Sequence, residues 1–171
     1  MNPVTIGTRL ASMILDHFLM TLVMIVIAVP FSIAFIDISK LDPATTTSPQ
    51  HMDRGLLYLM LIGMSVYLCK DSFGGRSIAK RIIKHQVLDR ETLAPATPLQ
   101  CLLRNFFIVA WPVEVLMVLI NPAQRLGDRL AKTIVVPYDA TRPAAPANYG
   151  QILLCLLLAF AFLYLITVPI Q

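Results

Sequence analysis

Residues 10–36 form an apolar run longer than the roughly 20 residues that cross the hydrocarbon of a bilayer. Three further runs, 55–69, 99–120 and 151–169, reach or approach that length. Of the 171 residues, 57% are hydrophobic and 14% charged, with a mean hydropathy of +0.71. A soluble globular domain holds about 45–50% apolar residues. The sequence therefore predicts an integral membrane protein. The first run is too long for a signal-peptide core and carries Asp16 within it, so it is expected to stay on as a signal anchor.

Arg9 and Asp16 stand where hydrocarbon would make them expensive, at about 2.5–3.5 kcal/mol each on insertion scales. Seven residues are two helical turns, so both lie on one face together with Thr5 and Ser12. Such a stripe is expected to look into the protein. The alternative is that Arg9 snorkels to lipid phosphates and Asp16 sits in the interface, leaving the span proper to residues 18–36. Pro30 is expected to kink the far end of this helix.

The second run should extend toward Phe73, with Lys70 snorkelling, and the Pro/Ser/Thr-rich segment 37–54 reads as a connector. The stretch from Lys70 to Arg90 holds Lys70, Arg76, Lys80, Arg81, Lys84 and Arg90, against Lys40 and Arg54 in the preceding loop. The positive-inside rule makes this side, and with it the N-terminus, cytoplasmic. Gly74-Gly75 turns the chain. Ile78, Ala79, Ile82 and Ile83 then recur at helical spacing, which predicts a short amphipathic helix presenting Arg76, Lys80, Arg81 and Lys84 to anionic lipid or a partner, with a small strand over 86–89.

A similar unit follows the third run. Aligned at Arg81 and Arg129, KRIIKHQVL and DRLAKTIVV share the arginine, a lysine three residues later and a strand-like ending. Were both units on one side, their strands could pair and 99–120 would enter the membrane and return, breaking near Trp111-Pro112 with Arg104 and Glu114 as polar handles. A straight third span competes with this, but it places Arg125, Arg129, Lys132 and Arg142 outside, against the charge rule.

Arg9 and Asp16, then Ser77, Lys80, Arg81, Val87 and Asp89, then Arg104-Asn105, then Arg125, Leu126, Asp128, Leu130, Ala131, Thr133, Val135 and Val136, occur in the order that resembles the RDD family of bacterial membrane proteins. The resemblance covers residues 5–136, leaving 151–169 as an additional C-terminal span. It implies that the defining arginine and two aspartates are Arg9, Asp16 and Asp128, and that the chain transports an unknown ligand, some members resembling cation/proton antiporters. The sequence departs from the pattern at Ala79, Lys84 and Lys132, where the family usually has glycine.

The expected fold is an all-α integral membrane protein of three to four transmembrane helices, with a re-entrant third segment and small cytoplasmic helix/strand units. The chemistry points away from catalysis. His17 and His51 are far from any nucleophile, and FGGRS lacks the lysine and spacing of a phosphate-binding loop. Cys69, Cys101 and Cys155 suggest neither disulfide nor zinc, and no metal or cofactor is expected. Basic membrane edges explain the +4 charge without nucleic acid. Arg9, Asp16, Asp128 and Glu114 are the candidate site, either for a proton or monovalent cation or as a structural lock.

Two function classes stand. One is a small transporter or transporter subunit in the bacterial inner membrane, working as a homo-oligomer or with a membrane-protein partner. The other is a non-transporting scaffold that docks a partner or anionic lipid on its basic face.

Overall fold

A computed structural model describes residues 4–34, 54–107, 111–141 and 148–167. The 37–54 connector, apart from Arg54, lies outside the described residues, as do His51 and Arg142. The first run forms α1 (Ile6–Ala34), which continues through Pro30, and the second forms α2 (Arg54–Leu68). The last forms α7 (Tyr149–Thr167). Helices α1 and α7 are long and apolar enough to cross a membrane, and α2 is a shorter apolar helix. Their outward surfaces are apolar, as Phe18, Val26, Ile33, Leu153 and Leu165 show. Water would not tolerate that surface, whereas lipid does.

Helix α2 stops at Leu68 instead of reaching Phe73, because residues 69–75 turn the chain. Gly75 closes that turn at φ +71, where an added Cβ would come within 2.3 Å of the Val87 carbonyl oxygen. Next come α3 (Ile78–Ile82), capped by the Ser77 hydroxyl, which accepts from the Lys80 amide at 3.2 Å, and β1 (His85–Asp89). The Asp89 carboxylate turns the chain out of β1 by accepting the Glu91 and Thr92 amides, each at 2.8 Å.

The third run divides into α4 (Pro98–Phe106) and α5 (Trp111–Ile120). Thr97 and Gln100 form a capping box on α4, and Pro112 falls in the first turn of α5, where its missing N–H is harmless. At 1.5 Å per residue these helices are about 14 and 15 Å long, half the hydrocarbon thickness.

The second unit, α6 (Leu126–Leu130) and β2 (Thr133–Pro137), repeats the first. The strands pair antiparallel, His85 against Pro137 through Asp89 against Thr133, over a small core of Val87, Ala96, Cys101 and Val135. The fold is thus helical with one two-stranded sheet among the described residues, where the sequence read all-α with strand-like units. A second core, Leu68, Cys69, Leu102, Cys155 and Ala159, joins α2, α4 and α7.

The correspondence of the two units extends to backbone angles. Lys84 and Lys132 each link a helix to its strand at φ 53. An L side chain is strained there by about 1–2 kcal/mol. Lys84→Gly should therefore raise stability by roughly 0.5–1 kcal/mol after the entropy of glycine is subtracted. Lys132→Gly should gain less, since it also removes the exposed 2.9 Å pair with Glu91. Thermal unfolding in detergent reads both, and a lower melting temperature for Lys84→Gly would show that this link carries no strain.

Candidate functional site

The polar stripe on α1 turns inward. Arg9, Ser12 and Asp16 are buried, Arg9 to 1% exposure, which removes the snorkelling alternative. Thr5 is exposed, and its hydroxyl bonds with Thr8. Arg9 Nη2 donates to Asp128 Oδ2 at 2.7 Å. The pairing of the first and last members of the resemblance motif is direct.

Asp128, fully buried, gathers more than Arg9. Its Oδ2 accepts the Arg125 amide at 3.0 Å and lies 3.5 Å from Arg125 Nε, while Oδ1 lies 2.8 Å from Arg104 Nη2 in a contact without hydrogen-bond alignment. Burial alone would raise the carboxyl pKa. Arg104, Arg125 and Arg9 together overcome it and hold the group well below the usual carboxylate range. Gly127 makes this proximity possible, because any Cβ there would stand 2.1 Å from the Arg104 carbonyl oxygen.

Asp16 does not meet Arg9. Its Oδ2 accepts from Lys80 Nζ at 2.8 Å, and Lys70 Nζ stands 3.8 Å away. Two turns amount to about 10 Å along α1, so one face serves two different partners. Lys80 also donates to Asp71 Oδ1 at 2.8 Å. Asp71 Oδ1 accepts the Ser77 amide at 3.1 Å, and Oδ2 accepts Asn105 Nδ2 at 3.4 Å with Arg104 Nη1 at 4.0 Å. Burial pushes the Asp71 carboxyl up, yet Lys80, Arg104 and Lys70 hold it far below its ordinary value. Glu114, fully buried, accepts from Arg125 Nη1 at 2.8 Å and from the Gly127 amide at 3.4 Å.

One buried network thus runs Lys70, Asp16, Lys80, Asp71, Arg104, Asp128, Arg9, Arg125, Glu114. It unites all four expected site residues, but it reaches Asp16 only through Lys80, Asp71 and Arg104. Lys80 corrects the expectation of a lipid-facing cation. Helix α3 packs on α1 and turns Lys80 inward, to 3% exposure. Ile78 and Ile82 are exposed instead, at 60% each, beside exposed Arg81 and Lys84. Arg76 is half-buried, its guanidinium 3.7 Å from the Tyr138 ring centroid. Asp71 is absent from the expected site because the second run reads as continuing past it toward Phe73, and only its place six residues before the Ser77 cap hints at more.

Two cavities flank Asp16 and Lys70, which line both. One is polar, lined by residues including Arg9, Ser12, Arg104 and Arg125. The other, of about 590 Å³, is walled by apolar residues of α1, α2, α3 and α7, including Leu19, Val66, Ile78 and Leu156, with Arg76 and Arg81 at its edge. No group of His, Cys, Asp and Glu among the described residues is arranged to hold a metal ion.

A lipid-facing helical surface closed over a buried ionic network defines a membrane protein. The chain belongs to the RDD family, whose model matches residues 3–170 and so takes in α7 as well as the charged core. Comparison with curated proteins and with solved structures finds no match.

Breaking a buried ion pair from one side costs about 3–5 kcal/mol, so Arg9→Ala should lower folded yield and melting temperature markedly. The geometry names Asp128 as the partner. Arg9→Ala with Asp128→Asn should show strong coupling in a double-mutant cycle, and Arg9→Ala with Asp16→Asn nearly additive losses. Stronger coupling to Asp16 would overturn the assignment.

Proposed function

We propose that the protein is a multi-pass transporter, or transporter subunit, of the bacterial inner membrane that exchanges a monovalent cation for a proton at Asp16. Helices α1, α2 and α7 cross the membrane, and α4 and α5 enter from the cytoplasm and return to it. The pairing of β1 with β2 supports this topology, since it ties the start of α4 and the end of α5 to one side. The charge distribution supports a cytoplasmic position for that side and for the start of α1. Cysteines replacing Thr92 and Ala140 in a Cys-less chain should both resist an impermeant maleimide in intact cells. Labelling at 140 from outside would restore a straight third span.

The observation that carries the exchange reading is the Lys70–Asp16 contact, at 3.8 Å looser than the other contacts of Asp16 and placed where the two cavities meet. Burial pushes the Lys70 ammonium down to about 8, with Asp16 and Asp71 opposing and Lys80 and Arg125 assisting. When its proton leaves, a monovalent cation takes the place of the ammonium beside the Asp16 carboxylate. One charge enters for one that departs. Asp71, Asp128 and Glu114 remain tied to Lys80 and the arginines and give the exchanging pair a fixed frame.

In proteoliposomes, an imposed pH gradient should collapse on addition of Na⁺ or K⁺, and apparent cation affinity should rise as pH rises through about 8. Lys70→Arg keeps the charge but not the labile proton, so it should abolish exchange with the fold intact; Asp16→Asn should abolish it too. Collapse that needs no added cation, or that survives Lys70→Arg, would defeat the exchange reading. The scaffold reading would then stand on the exposed face of α3, where Ile78 and Ile82 flank Arg81 and suit an anionic membrane surface or partner.

A further inference from the structure

The polar cavity is more cationic than an exchange site for cations requires. Arg9, Lys70, Lys80, Arg104 and Arg125 line it with a single carboxylate, Asp16. Asp71, Glu114 and Asp128, which balance those cations, do not line it; they lie behind Lys80, Arg125 and the Arg9–Arg104 pair. Counting the whole network, five cations face four carboxylates.

Hydrogen-bonding capacity is unspent on the same wall. Ser12 Oγ, in a residue 1% exposed, has no hydrogen-bond partner among the described residues, and neither do Arg9 Nε and Arg104 Nε; Arg104 Nη1 and Arg125 Nε make no hydrogen bond either, though they stand 4.0 Å from Asp71 and 3.5 Å from Asp128. Buried N–H and O–H donors without acceptors each cost about 1–3 kcal/mol, more when charged, so an acceptor belongs among them. The centre of a water-sized group has about 10 Å³ open to it between them, room for a single small ion.

We infer that this cavity binds one halide-sized monovalent anion, held by the Ser12 hydroxyl and the side faces of the Arg9, Arg104 and Arg125 guanidiniums. A single negative charge brings the network to neutrality and accepts from several donors at once. Sulfate and phosphate are too large for the space. The anion is separate from the exchange proposed at Asp16 and does not depend on it.

The test uses the full chain, purified into zwitterionic lipid nanodiscs, at constant pH and ionic strength. Replacing sodium gluconate by sodium chloride or bromide should raise the melting temperature saturably with halide concentration, equally for potassium salts. Sulfate should give no saturable rise. ³⁵Cl line broadening should be titrated away by bromide. Ser12→Ala should shift the chloride midpoint several-fold upward. Ser12→Asp places a carboxylate in the cavity as a tethered anion and should make stability independent of halide.

Equal melting temperatures in gluconate and chloride, with no titratable line broadening, would show that the cavity holds only water. An effect of sulfate as large as that of chloride would show a general salt effect. Either result overturns the inference. Should Ser12→Asp fail to fold, Ser12→Ala and the ³⁵Cl titration still decide it.

Discussion

The Asp128 carboxylate is the point on which the rest of the charged core depends. Three guanidiniums reach it from separate parts of the chain: Arg9 on the first span, Arg104 on α4, and Arg125 just ahead of α6. In a low-dielectric interior none of these charges is tolerable alone, so each fixes the position of the others. α6 can bring Asp128 so near Arg104 only because Gly127 has no side chain. Glu114 then completes the set by taking the free face of Arg125. The interactions specify one arrangement of α1, α4, α5 and α6, even where their net stabilisation is modest.

The second half of the network has a different character. Lys80 bridges Asp16 and Asp71 and so ties α3 to both the first span and the turn after α2. Lys70 is held more loosely, and it borders both cavities. The arginine-rich end keeps its charge at any physiological pH, whereas burial lowers the Lys70 ammonium to about 8.

Much of this was legible in the sequence. Charges inside an apolar run had to face protein, and Arg9 and Asp16 do. The repeat around Arg81 and Arg129 emerged from a few identities and returns in space as paired strands and as two lysines with the same left-handed backbone. What the sequence withheld was partnership. Helical spacing says that Arg9 and Asp16 share a face about 10 Å apart, but not which side chains come to meet each of them. α3 has only five residues, too few for periodicity to tell which cation turns inward, so Lys80 read as a surface charge. Asp71 lies in a turn, where no period exists to read.

The antiparallel pairing of β1 with β2 also bears on the order in which the protein can be made. β1 leaves the ribosome well before β2, and the whole α4–α5 segment is synthesised between them. Arg104 is therefore synthesised before Asp128 exists to receive it. Until β2 docks, the intervening half-helices hold a cation and a carboxylate without their final partners. Closure of this long-range contact brings Asp128 to Arg104, after which only α7 is left to pack against α2 and α4.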